Sequence, residues 1–222
     1  MRYTYLTLDC YGTLIDWRTG IEQELRRAIG NIPVRGQELL ARYIVAEAAE
    51  EATYKKYREV LRRAVRSLSA EFGLEITDDA ATRFAASVSR WPAFSDTGRF
   101  LRDMGALGFK RYILSNVDDD ILNETISRNG LRVDGVVTAE EVGSYKPDPG
   151  HWMKFMQRSG AGKRDMLHIA QSAYHDIIPT QELGISSAWV NRYREQMPTG
   201  ASPLYVTDSL AHLAEVLNEH AP

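Results

Sequence analysis

Short apolar runs that each stop at polar residues recur four times along the chain. Tyr3 to Leu8 ends at Asp9, and Tyr112-Ile113-Leu114 ends at Ser115-Asn116. Val136-Val137 leads on to Tyr145-Lys146-Pro147, and Leu167-His168-Ile169-Ala170 leads into Gln171 through Asp176. Runs of this length bounded by turn residues predict strands buried on both faces. After Pro92 they alternate with helical patterns, which predicts a parallel sheet covered by helices on both sides. In such sheets ligands bind outside the carboxyl ends of the strands, so the four polar segments are expected to meet in one crevice.

Between about Asp16 and Trp91 the strand pattern is absent and helical spacing takes over. Leu40, Tyr43, Ile44, Glu47, Tyr54, Tyr57, Leu61, Ala64, Val65 and Leu68 recur at three- and four-residue intervals, as an amphipathic helix or a broken pair requires. Thr77 is placed to cap a further helix carrying Ala81, Phe84, Ala85 and Val88, which Pro92 ends. The organisation expected is a core of residues 1–15 and 92–222 with a helical cap, 16–91, inserted between its first two strands. Asp118, Asp119 and Asp120 fall where a helix should begin, a structural placement at the positive end of its dipole. Gly130 and Gly184 are natural helix stops, and Asp208 is expected to cap a last helix with Leu210, Leu213 and Leu217 inward.

A chain of 222 residues, 44% apolar and 26% charged, can bury a sizeable core as an ordinary globular protein. Its net charge of −3 offers no general attraction to nucleic acid or an anionic membrane. No apolar stretch reaches the roughly 20 residues of a bilayer span, and the amino terminus lacks the layout of a signal peptide. The expectation is a cytoplasmic protein, with a homodimer as the default oligomer. Cys10 is the only cysteine, so no intramolecular disulfide forms, and it is expected to act as a small buried hydrophobe.

The ordered set Asp9, Ser115, Lys146 and Asp176 resembles the four motifs of the haloacid dehalogenase (HAD) superfamily, with its doubly wound, Rossmann-like α/β core. The Asp9-Cys10-Tyr11-Gly12-Thr13-Leu14 opening and Lys146-Pro147-Asp148-Pro149 are similar to the L-2-haloacid dehalogenase (type II) branch. The resemblance implies a nucleophilic Asp9, held by Lys146, that forms an aspartyl ester at C2 of a small carboxylic acid. Asp176 would pair with Lys146 or position water, Ser115 and Asn116 would bind the substrate carboxylate, and Tyr11 and Trp17 would wall the pocket. His175 is either a base or a structural histidine.

The superfamily's Mg²⁺-dependent phosphatases differ at two positions. Where they carry a second Asp this chain has Tyr11, and where they carry a metal-ligating Asp it has Gln171. A neutral amide is a poor ligand for a hard cation, so no metal or other cofactor is expected unless the phosphatase reading holds. The dehalogenases' halide-cradling cap Arg has no counterpart in register, Arg42 being near but displaced. Glu47, with Glu50 and Glu51 close by, is expected on a solvated helix face, although turned inward it would suit a cationic leaving group. The chain also resembles L-azetidine-2-carboxylate hydrolases, through Asp9 to Trp17, Trp91 to Phe94, Val142 to Pro147 and Ser172 to Asp176. Displacement of a ring amine therefore stands beside dehalogenation, and a non-catalytic relative that binds a metabolite or partner is the further alternative.

Overall fold

The first strand, β1 (Tyr5–Leu8), lies at the centre of the sheet, and every side chain after Tyr5 is buried. A computed structural model describes residues 3–30, 32 and 34–219. After β1 the chain forms α1 (Trp17–Ile29), α2 (Gly36–Glu51), α3 (Tyr57–Glu71) and α4 (Asp78–Ala85) before it returns to the sheet. Then follow α5 (Thr97–Ala106), β2 (Lys110–Ser115), α6 (Asp119–Asn129), β3 (Gly135–Thr138), α7 (Ala139–Val142) and α8 (Gly150–Ser159). The remainder is β4 (Met166–Ala170), α9 (Ile178–Glu182), β5 (Ser186–Val190), β6 (Tyr205–Thr207) and α10 (Leu210–Glu219).

Six strands form one parallel sheet in the order β3-β2-β1-β4-β5-β6. From β1 the connections run outward in both directions, to β2 on one side and β4 on the other. This is the switch point at which adjacent loops diverge and leave a crevice. Leu8 is in register with Ile113 and Ile169, so Asp9, Ser115 and Gln171 all emerge at the same edge. Among the described residues no helix is long and apolar enough to cross a membrane.

The chain leaves and re-enters the sheet layer through two adjacent segments. Asp16 N–H donates to Pro92 O, Phe94 N–H donates to Leu14 O, and Ile15 bridges Ala93. The helical stripe is a broken pair: α2 and α3 pack together, burying Leu39, Tyr43, Ala46, Val60, Leu61, Ala64, Val65 and Leu68. Thr77 caps α4 by accepting from Ala80 N–H, and Gly130 ends α6 in the left-handed conformation. Gly12, at φ +103°, turns the chain where a Cβ would meet Trp17 Nε1 at 3.0 Å and Gln171 Oε1 at 3.1 Å. Cys10 is fully buried.

Two capping expectations are corrected. Asp208 does not cap α10: the Ser209 hydroxyl accepts from His212 N–H, and Asp96 accepts from Leu210 and Ala211 N–H. Asp208 instead accepts from the Ser209 hydroxyl. Asp118 does precede α6, but its buried carboxylate accepts from Tyr57 N–H at 2.8 Å and Arg58 N–H at 3.0 Å, the orphan donors that open α3. A residue on the sheet side thus caps a helix of the inserted segment.

Candidate active site

A cavity of about 380 Å³ opens at the carboxyl edge of the sheet, and all eight residues singled out in the sequence line it: Asp9, Tyr11, Trp17, Ser115, Asn116, Lys146, His175 and Asp176. At its floor Lys146 Nζ donates to Asp9 Oδ1 at 2.9 Å, to Asp176 Oδ1 at 2.6 Å and to Leu114 O at 3.0 Å. An ammonium has three protons, so these bonds exhaust it. Asp9 Oδ2 accepts from the Thr13 hydroxyl at 2.8 Å, and that hydroxyl accepts from Gln171 N–H at 2.9 Å. Both oxygens of Asp9 are therefore oriented by donors set in different loops.

One cation serves two buried carboxylates here, and the electrostatics divide accordingly. Burial works against the Asp176 charge, yet Lys146 and a hydrogen bond from His168 outweigh it and hold the carboxyl well below its ordinary range. Burial also disfavours the Lys146 charge, and Asp176 and Asp9 together keep its pKa above the usual lysine value. Asp9 keeps a raised pKa, because burial exceeds the opposing attraction of Lys146 and because Asp176 adds like charge. It is the less compensated of the two carboxylates.

Tyr11 and Trp17 wall the cavity. The Tyr11 hydroxyl is turned away to Thr125 Oγ1 at 2.7 Å, and its ring meets Trp91 edge-on. The Asn116 side chain is committed elsewhere: its Nδ2 donates to Lys146 O and its Oδ1 accepts from Lys146 N–H, locking the loop that carries the lysine. Any contact with a ligand carboxylate falls to the Asn116 backbone. The Ser115 hydroxyl is buried at the cavity wall and has no partner. His175 is held by Ser172 through its backbone N–H and its Nδ1, and burial lowers its pKa, so the ring is neutral at pH 7.

Residues that the motifs did not flag complete the floor. His168 Nε2 contacts Asp176 Oδ1 at 3.0 Å while its Nδ1 contacts Thr7 Oγ1 at 3.0 Å. A carboxylate only accepts, so Nε2 carries the proton. Thr7 and His168 are paired across β1 and β4. The available signal was Thr7 and His168, polar residues inside two mainly apolar runs. Thr13 lay within the opening motif, but its bridging bond depends on β4 arriving beside it.

Glu47 contradicts its expected place on a solvated face. It lines the cavity half-buried, and its Oε1 accepts from Tyr57 Oη at 2.8 Å and Tyr43 Oη at 3.1 Å. The reason is tertiary: Tyr43 of α2 and Tyr57 of α3 both donate to this carboxylate and hold it at the cavity. Glu51 also lines the cavity, whereas Glu50 pairs with Lys55. Arg42 is outside the cavity, bonded to Glu38 and stacked on Phe72.

Burial, then Glu47, push the Glu51 carboxyl up to about 9 from an ordinary 4.5, against the attraction of Lys146 and Lys55. Its contribution to stability is therefore full below about 4.5 and is lost as pH rises through about 9. Glu51→Gln is expected to flatten the decline in melting temperature across that window. An unchanged slope in thermal melts would contradict this placement.

The residues present do not fit the Mg²⁺ of related phosphatases. Tyr11 stands where they carry a second Asp, its hydroxyl bonded to Thr125, and Gln171 offers a neutral amide that donates to Glu195 Oε2 at 3.1 Å. Among the described residues no group of three or more His, Cys, Asp or Glu side chains is arranged to hold a metal.

A parallel sheet with a carboxylate, an ammonium and a second carboxylate meeting at its switch point defines an α/β protein with a buried charged site, and the family match makes it a hydrolase. The haloacid dehalogenase-like hydrolase family matches residues 3–182, and the chain belongs to it. It is 25% identical over 229 residues to an (S)-2-haloacid dehalogenase of Pseudomonas sp. (strain YL), covering 97% of this chain and 95% of that one. The fold superposes on the L-2-haloacid dehalogenase of Xanthobacter autotrophicus, solved with chloropropionic acid covalently bound, with TM-score 0.86, 20% identity and coverage of 97% and 98%. It also superposes on YfnB of Bacillus subtilis, described as a HAD-hydrolase and bound to magnesium, with TM-score 0.79, 21% identity and coverage of 98% and 100%.

Proposed function

We propose that the chain is a metal-independent hydrolase that displaces the substituent at C2 of a small carboxylic acid through an ester on Asp9, as a 2-haloacid dehalogenase does. Residues 16–91 serve as its cap. The observation that carries this reading is the Asp9 carboxylate itself: buried, aimed by Lys146 and Thr13, and incompletely neutralised. Poor solvation strengthens a carboxylate as a nucleophile toward saturated carbon.

Asp9 attacks C2 opposite the departing group, so the Asp9 oxygen–C2 bond forms as the bond to the substituent breaks and its electron pair leaves with it. Configuration inverts. The unpartnered Ser115 hydroxyl and the Asn116 backbone bind the substrate carboxylate. Water then attacks the ester carbonyl of Asp9, and the bond between that carbon and the oxygen carrying C2 breaks. Asp176 Oδ2, buried without a partner, positions the water, and neutral His175 accepts its proton. The names of the relatives support a 2-haloacid as substrate.

The test is chloride release from (S)-2-chloropropionate in excess EDTA, followed with intact-protein mass spectrometry after rapid quenching. Release should persist in chelator, with a transient adduct on the peptide containing Asp9. Turnover that vanishes in EDTA and returns with Mg²⁺ would overturn the reading.

A further inference from the structure

The loop that carries the nucleophile is gripped from a fifth strand end. Arg192, just beyond β5, donates to Thr13 O through Nη2 at 2.9 Å and through Nε at 3.2 Å. The same guanidinium pairs with Asp96 in bidentate fashion, Nη2 to Oδ1 at 2.9 Å and Nη1 to Oδ2 at 3.1 Å, and lies 3.9 Å from the centre of the Phe94 ring. Four bonds from a planar fork thus fix its place, and only 9% of its side chain is exposed. Asp96 is itself tied to Leu210 N–H at the start of α10. The pair with Asp96 would join the β5 exit to the start of α5 without help from Thr13. The two bonds to the Thr13 carbonyl are surplus to that pairing and lead toward the chemistry, because the Thr13 hydroxyl donates to Asp9 Oδ2 at 2.8 Å.

We infer that Arg192 is a positioning residue for the reaction: by fixing the Thr13 backbone it sets the hydroxyl that aims the Asp9 carboxylate at C2. This rests on the proposed role of Asp9 and adds a group to the machinery of that site. Arg192 lies outside the cavity lining, so it acts through Thr13 and not on the substrate. The Thr13 hydroxyl has little slack, since it also accepts from Gln171 N–H at 2.9 Å. A carbonyl released by its guanidinium lets this turn shift, and a displacement of about 1 Å at a reacting group costs roughly 100-fold in rate. Burial raises the Asp9 pKa and the Thr13 bond is among the interactions that oppose it, so losing that bond raises the pKa further.

The test is a double-mutant cycle in the full-length chain between Arg192→Met and Thr13→Val, the latter removing the hydroxyl but keeping the carbonyl that Arg192 binds. Two quantities are read: the single-turnover rate of Asp9 adduct formation from (S)-2-chloropropionate, and the titration midpoint of the Asp9 carboxyl by ¹³C NMR. Arg192→Met should slow adduct formation about 30-fold, with KM within about threefold, and should raise the midpoint. In Thr13→Val the same substitution should change the rate by less than about twofold and leave the midpoint nearly in place, while still lowering the melting temperature. Lys146 and Asp176, the charged groups beside Asp9, are unaltered throughout. Should Arg192→Met not fold, Arg192→Lys takes its place: it keeps the charge, loses the fork and should show the same pattern at about threefold or more. An equal loss in both backgrounds, which a merely structural pair predicts, or a parent-like rate and midpoint in the Arg192 variant would overturn the role. A parent protein that forms no Asp9 adduct would refute the ester mechanism, and the midpoints of the four proteins would then decide on their own. A shift that vanishes without the Thr13 hydroxyl supports the role, and one that persists overturns it.

Discussion

Asp9→Asn is expected to lower turnover by about 10⁴-fold or more, because no other group in the cavity can replace a covalent nucleophile. The substitution keeps shape and keeps an oxygen for Lys146, so the fold should survive it. Stability should be equal or slightly higher. The folded protein holds Asp9 with a raised pKa, the mark of a charge that burial opposes more than its neighbours favour it. Removing that charge relieves a cost while ending the chemistry. A single turnover of the unmodified enzyme in ¹⁸O-water should place one ¹⁸O in the Asp9 carboxylate and leave the first product unlabelled. Label that appears first in the product, or an Asp9→Asn variant within about tenfold of the original rate, would rule the mechanism out.

Lys146→Met should cost both activity and stability. Lys146 is 2% exposed and its ammonium makes all of its bonds inside the protein. Without it Asp9 and Asp176 face each other uncompensated, and breaking a buried pair in this way costs about 3–5 kcal/mol. For a domain of this size that corresponds to a fall in melting temperature of roughly 10 °C at neutral pH. The deficit has a defined pH dependence. Lys146 is the largest of the groups that hold Asp176 well below its ordinary range, and the stabilisation this gives exists above the unfolded value and is lost as pH falls through the folded one. In the variant both carboxyls should take up protons readily, and the gap from the parent protein should narrow toward acid pH. A variant that melts within about 1 °C of the parent at pH 7 would show that the trio contributes nothing to the fold.

Much of the fold was legible because strands announce themselves locally. Each apolar run is continuous since both faces of a parallel sheet are buried, and each stops where the backbone reaches solvent or a ligand. Those stops located the four polar segments, and the resemblance to the haloacid dehalogenase motifs singled out Asp9, Ser115, Lys146 and Asp176 within them. Thr77 and Gly130 were equally legible, since a cap depends on residues within one turn. Asp208 failed for the complementary reason. The donors of α10 are met by the adjacent Ser209 and by Asp96, more than a hundred positions earlier in the chain.

Helical periodicity placed Glu47 on the same stripe as Tyr43 and Tyr57 but could not say what lay across from it. A repeat of 3.6 residues specifies which side chains share a face; it does not specify whether that face meets water, a packed helix or a cavity. Asp118 shows the same division, since its position before α6 is local while its acceptance of the Tyr57 and Arg58 N–H groups is not.

By itself, then, the sequence determined the parallel α/β core, the insertion of helices after the first strand, and the four strand ends that supply Asp9, Ser115, Lys146 and Asp176. Those features rest on patterns within a few residues of one another. Only the tertiary structure decided that Thr13 joins Asp9 to the Gln171 loop, that His168 and Thr7 back Asp176, that Asn116 serves Lys146, and that Glu47 and Glu51 line the same cavity as Asp9. Each of these depends on how separate elements are set against one another, and hydrogen bonds a few ångströms long are decided by that placement.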